Sequence, residues 1–327
     1  MERFYTPESL DARNALTIAK GLLAVREISE VVLDFSKTRQ FEPFGLLVAG
    51  AALRDFSKQR GPAAVTRVDG VHAGCAAHEH MAHTGFFKWI GIPIGNNPGA
   101  VAGDTSWVPV TALKLTDLEQ RMKETGKPLG DVVQAESERL ARILTQQNVW
   151  KINAPLAYCF REVIRNVFEH AQTTGCTLCA QKWPDGRTEI AIIDQGRGIR
   201  NSLAEKYPFQ SDAEALKQAL KPGVSRNLCA DPTNAWGNSG FGLYVLSEFG
   251  RTLGTFRAAS GETCLFIQKQ QLAEEEASFS GTAIQIIIKR PKGVNLEEYL
   301  NQIIERGEAH TSHTNGSRAS LSTRRVV

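Results

Sequence analysis

The chain has 327 residues, 42% of them apolar and 22% charged, and a net charge of +3. That length exceeds what one hydrophobic core usually organises, so two domains are expected, with the composition of an ordinary globular protein. Basic residues are scattered among acidic ones and form no stripe, which argues against nucleic acid as a partner. The longest strongly apolar stretch, Phe44 to Leu53, is about half of the ~20 residues a membrane span needs, so no membrane association is expected. The N-terminus, MERFYTPESLDARN, has no apolar secretory core, and six cysteines are too few for a disulfide scaffold of this size. Both observations point to a cytoplasmic protein with reduced thiols.

After a polar start, Glu30 to Phe35 reads as a buried strand, Phe44 to Lys58 as a helix ending near Gly61, and Ala64 to Val68 as another strand. Strand, helix and strand in that order predict a small α/β domain. A Gly/Pro/Asn-rich segment, Gly91 to Gly103, leads to Trp107-Val108-Pro109-Val110-Thr111, expected as the last strand of that domain. From Leu115 the composition shifts to charged helix formers, and Leu118 to Lys123 and Val132 to Gln146 read as solvent-washed helices. The boundary is therefore placed at residue 115, giving domains at 1–115 and 116–305. Beyond it the sequence predicts an amphipathic helix from Pro155 to Ala171, a hairpin turning at Pro184-Asp185-Gly186, and strands near Leu265 and Ile286. Residues 306–327 lack apolar periodicity and are expected to be a disordered polar tail.

Four segments carry chemistry. On the helix from Pro155, Glu162, Asn166 and His170 fall at i, i+4 and i+8, so a carboxylate, a carboxamide and an imidazole share one line. By itself that pattern also describes a solvated face, and the neighbouring Arg161, Arg165 and Glu169 read as helix-surface ion pairing. The apolar strand Glu189 to Ile193 stops at Asp194-Gln195-Gly196-Arg197-Gly198, where a carboxylate at a strand end precedes two glycines that let the backbone turn closely around a flat ligand. Gly237-Asn238-Ser239-Gly240-Phe241-Gly242 opens directly into a helix, an arrangement that presents backbone N–H groups to an anion. Ser280-Gly281-Thr282 then begins a strand. Each segment alone is a weak signal; their order is the specific one.

In that order the four segments resemble the GHKL superfamily, which includes gyrase, sensor histidine kinases and bacterial anti-sigma-factor kinases. The resemblance covers most of residues 130 to 290. It implies a Bergerat-type α/β sandwich, a mixed sheet with helices on one face, that binds ATP with Mg²⁺. Carried onto this chain, Asn166 would ligate Mg²⁺ and Asp194 would bind the adenine amino group. Glu162 would be the catalytic base, Gly196 and Gly198 the first glycine box, Gly240 and Gly242 the second, and Thr282 the threonine near adenine. Asn238 stands where a glycine is common, and the segment Arg200 to Trp236 is long for a lid. Its Lys206, Lys217, Lys221 and Arg226 receive no role. Val31 to Ser36 and Phe41 to Leu46 resemble a STAS domain, although Pro43 and Phe44 occupy the stretch where a phosphorylatable serine usually precedes the glycine matching Gly45.

The overall fold expected is thus α/β, in the α+β sense, with a small STAS-like domain before the ATP-binding one. The partners implied are ATP, a protein docked through the STAS-like domain or the lid, and a second copy in a homodimer. Three uses of ATP follow from the resemblance: hydrolysis that controls a partner, serine/threonine phosphorylation of an external substrate, and gating without turnover. A sensor histidine kinase is not expected, because His170 lies within the site helix. His72, Cys75, His78, His80 and His83 form the densest set of potential metal ligands, but at no familiar paired spacing. Cys176 and Cys179 form C-x-x-C within a strand, where odd spacing sends the two thiols to opposite faces.

Overall fold

The computed structural model describes residues 1–100, 106–145, 150–225, 240–289 and 295–312. The chain begins with β1 (Glu2–Tyr5), β2 (Ser9–Leu10), α1 (Ala12–Ala24), β3 (Glu30–Asp34), β4 (Gln40–Phe41), α2 (Pro43–Gln59), β5 (Val65–Asp69), α3 (Ala76–His83) and α4 (Phe86–Trp89). It continues through β6 (Trp107–Lys114), α5 (Leu115–Thr125), α6 (Leu129–Thr145), α7 (Trp150–His170), β7 (Gly175–Lys182), β8 (Arg187–Asp194), α8 (Gly198–Leu203) and α9 (Asp212–Ala219). The last elements are α10 (Gly242–Leu253), β9 (Gly254–Gln268), β10 (Gln271–Lys289) and α11 (Leu296–Ser312). The fold is α+β, and among the described residues no helix is long and apolar enough to cross a membrane.

The amino-terminal strands pair in parallel, in the order β1-β3-β5, with β2 and β4 as a separate parallel pair. Helix α2 starts with Pro43 in its first turn and buries Phe44 through Ala51 together with Leu53 and Phe56. A helix apolar nearly all round must be covered on more than one side. Here α1 lies along it, and β7, β8 and β10 form its other wall. The sequence did not single out β1 or α1. The start of α1 is marked only by Asp11, whose carboxylate accepts the Asn14 N–H at 2.9 Å.

The main sheet has five strands in the order β6-β7-β8-β10-β9, antiparallel at every pair. The expected mixed sheet with helices on one face is therefore corrected: parallel pairing is confined to the amino-terminal strands, whose helices α1 and α2 cover the second face of this antiparallel sheet. Both faces of the main sheet are covered. Leu178, Ile190, Ile192, Ile284 and Ile286 pack with α6, α7, α10 and α11, whereas Ala191, Ile193, Cys264 and Ala283 pack with α1 and α2. This double burial explains why β8 reads as an unbroken apolar run. Cys176 and Cys179 are divided between the two clusters, as their spacing requires.

Three further features differ from the sequence expectation. The strand Trp107–Thr111, expected to complete the amino-terminal domain, is the edge strand β6 of the main sheet, paired Trp107 to Gln181 and Lys114 to Gly175. Its register shifts between Val108 and Thr111, around Pro109, an arrangement that an edge strand tolerates. Within the shift, the Val110 N–H bonds instead to the Thr84 carbonyl at 3.0 Å. Helix α7 begins at Trp150 and carries Pro155 inside it. A proline this near the start removes one ladder bond and does not end the helix. Residues 306–312, expected to open the tail, continue α11, because Ile303, Ile304, Gly307 and Thr311 keep a buried face. Residues 313–327 lie outside the described residues.

Candidate functional site

A cavity of about 80 Å³ opens between α7, the ends of β8 and β10, α8 and the start of α10. From α7 come Asn166 and His170, one turn apart, with Val163 and Val167 between them as an apolar wall. The Nδ2 of Asn166 is buried and has no hydrogen-bond partner among the described residues. Such a donor is costly to leave unpaired, and what it calls for is an acceptor oxygen.

Asp194 ends β8 and is 5% exposed. Its Oδ1 accepts the Gly196 N–H at 2.8 Å, and Thr282, its register partner on β10, donates through side chain and backbone. Burial pushes this carboxyl up to about 6, against the lowering effect of those hydrogen bonds. The preceding Gly281 has φ +107°, and a Cβ there would lie 2.1 Å from the Asp194 carbonyl oxygen, so only glycine lets β10 approach so closely. Ser260 locks the corner: its hydroxyl donates to the Gly281 carbonyl at 2.8 Å and accepts the Ile199 N–H at 3.0 Å. A lone serine among apolar strand residues gave no sequence signal for that role.

The first glycine turn folds against the end of α7. The Arg197 N–H and side chain bond the Ala171 and His170 carbonyls at 2.9 and 3.2 Å, and a Cβ on Gly196 would meet the Ala171 carbonyl oxygen at 2.1 Å. Gly198 then opens α8 with positive φ and faces the cavity. The turn is also held from outside: Gln195 Nε2 donates to both carboxylate oxygens of Asp55 on α2, at 2.7 and 2.8 Å. The second glycine segment is stitched to the preceding loop by the Gly223 N–H, which donates to the Gly240 carbonyl at 3.1 Å. Helix α10 follows with Phe241 at its N-cap and no side-chain cap among the described residues, an end that favours an anion.

Asn166, Asp194, Gly198, Gly240, Gly242 and Thr282 therefore line one cavity, and Gly196 shapes the turn behind it. Glu162 stands apart from the lining. It is buried beneath the second glycine turn, where a Cβ on Gly242 would come within 2.7 Å of its Oε2. Its Oε1 accepts from Arg161 at 2.9 and 3.1 Å and from Arg165 at 3.5 Å. The stripe of Arg161, Arg165 and Glu169, expected as surface ion pairing, has buried side chains. Packing of α6 on α7 causes this, and Arg161 Nη1 donates across to Gln134 at 3.1 Å.

Of the cationic residues in the long intervening segment, Lys206 donates to the Ser225 carbonyl at 3.1 Å and Lys217 pairs with Glu274 at 2.5 Å. Arg226, Gly237, Asn238 and Ser239 lie outside the described residues. His78 is buried with both ring nitrogens engaged: Nδ1 accepts the His72 N–H and Nε2 bonds the Phe35 carbonyl, each at 3.0 Å. His80 and His83 pack edge-on against Trp107. Among the described residues no three or more His, Cys, Asp or Glu side chains are grouped to hold a metal. Compared with protein families, curated proteins and solved structures, the chain gives no match.

Proposed function

We propose that this cavity binds ATP with Mg²⁺, in the manner of GHKL-type proteins, and that nucleotide occupancy governs how the chain engages a protein partner in the cytoplasm. The observation that carries the reading is the convergence, from four separated segments, of a buried carboxylate, a carboxamide whose N–H has no partner among the described residues, and the N-terminus of α10 on one cavity.

Each group suits one part of the ligand. Asp194 accepts a hydrogen bond from the exocyclic amine of adenine, with Thr282 beside it. Asn166 offers Mg²⁺ a single neutral oxygen, which is enough for a cation that completes its shell with phosphate and water. Bound there, Mg²⁺ would supply neutralisation of phosphate charge. The N-terminus of α10 and the backbone around Gly240 and Gly242 favour the phosphates.

Among the uses of ATP, the position of Glu162 favours gating over rapid turnover. Its carboxylate is held by two arginines beneath the second glycine turn and does not line the cavity, away from where a nucleophile would meet the γ-phosphate. Protein phosphorylation, the second reading, needs that same carboxylate to meet a substrate hydroxyl. End-point analysis of ATP incubated with the protein and with candidate partner proteins separates the three: unchanged ATP supports gating, free phosphate indicates hydrolysis, and phosphoprotein indicates transfer.

A further inference from the structure

A second cavity of about 350 Å³ lies between the β2/β4 pair, α3 and the β7–β8 hairpin. Arg187 and Asp194 are the two ends of β8, so seven steps of ~3.3 Å separate this cavity from the first by roughly 23 Å. The proposed nucleotide site uses none of its polar groups.

Two guanidinium groups reach it from different walls. Arg187, on the hairpin, lies over the Trp183 ring at 3.9 Å and pairs with Glu42 at 3.4 Å, so its plane is held in place. Its Nε is buried and without a hydrogen-bond partner among the described residues. Arg39, on the opposite wall, is anchored by Nη1 to the Ser36 and Thr38 carbonyls at 2.6 and 3.0 Å. Both forks are thus positioned before any ligand arrives, the arrangement that favours carboxylate or phosphate oxygens. Glu42 is the only acidic residue in the lining. His80 adds a donor or acceptor but little charge, because burial and nearby His83 lower its basicity. Phe41 and Trp183 supply flat apolar surface, and the space exceeds what a bare oxyanion would fill.

We infer that this cavity is a binding site for a small oxyanion carried on an aromatic body, an aryl phosphate or an aryl carboxylate, held by Arg187 and Arg39 with its ring against Trp183 and Phe41. This inference is independent of the nucleotide reading.

Titration calorimetry of the full chain with phenyl phosphate, benzoate and inorganic phosphate, each with and without saturating Mg·ATP, tests it. The expected result is saturable binding of phenyl phosphate or benzoate, one per chain, unaffected by Mg·ATP, with the stronger of the two identifying the anion class. Arg187→Gln and Arg39→Gln should each weaken binding about tenfold, the scale of one charged hydrogen bond. Trp183→Leu should weaken the aryl ligands but leave inorganic phosphate unchanged. No saturable binding of an aryl anion up to about 10 mM, a range that reaches interactions weaker than ~4 kcal/mol, would overturn the inference. So would competition by ATP, or affinity unchanged in both arginine variants. If Mg·ATP itself fails to bind, the nucleotide reading falls and this one stands on its own titration.

Discussion

Replacing Asp194 by Asn should stabilise the ligand-free protein while removing its ATP affinity. The carboxyl rises from 3.8 to about 6 on folding because it is buried. Because its folded pKa lies above the unfolded one, the native state holds an extra proton between about pH 4 and pH 6, and stability falls as pH rises through that window. About two units at ~1.36 kcal/mol each give a penalty of roughly 3 kcal/mol at neutral pH and none below pH ~4. Asparagine removes the charge and its carbonyl oxygen can still accept the Gly196 N–H, but it has one accepting oxygen where the carboxylate has two, so the Thr282 bonds are kept only in part and offset some of the gain. The expected gain is about 1–3 kcal/mol at pH 7.5 and close to zero at pH 4, since a buried amide has a smaller desolvation cost of its own. Thermal unfolding of both proteins between pH 4 and 8, without nucleotide, measures it. Glu189, buried and pushed up to about 7, tilts both curves equally and cancels in the difference. If Asp194→Asn destabilises the protein by the same amount at pH 4 and pH 7.5, the carboxylate is not under burial strain and the reasoning is wrong.

Three further outcomes follow from the geometry. Gly242→Ala places a methyl 2.7 Å from Glu162 Oε2, so either the turn or the carboxylate must move; a stability loss of about 1–3 kcal/mol by thermal denaturation is expected, with weaker ATP binding. Arg165→Met leaves Glu162 and Glu169 short of a buried counter-charge and should cost about 3–5 kcal/mol, whereas a loss below ~1 kcal/mol would mean that this network is solvated. Gln195→Ala removes the tie to Asp55 and should lower ATP affinity about fivefold, with Asp55→Ala giving the same loss and the double variant no more.

Much of the site could be read locally. The α7 stripe, the strand ending at Asp194, the glycines before α10 and the Gly281-Thr282 corner each leave a short-range pattern, and except for Glu162 the structure brings them to one place. What was hidden depends on packing between distant segments. Arg161 and Arg165 look like surface residues until α6 covers them, and nothing local indicates that coverage. Trp107 to Lys114 has a strand pattern, but a strand's sequence does not name its partner, so β6 was grouped with the segment before it when it pairs with β7. The rear face of the main sheet was missed for a related reason. Ala191, Ile193 and Ala283 show only that they are buried, and α2 covers them from more than a hundred residues upstream. Ser260 acts through one hydroxyl between two backbones, a role without periodicity or spacing.

The central claim is that Mg·ATP occupies the cavity between α7 and α10. Titration calorimetry of ATP into the full chain, with and without Mg²⁺, and into Asp194→Asn tests it most directly. The account predicts saturable, Mg²⁺-dependent binding with one ATP per chain, lost in the variant although the variant is folded. Absence of Mg²⁺-dependent affinity in the wild type, or unchanged affinity in Asp194→Asn, would contradict it.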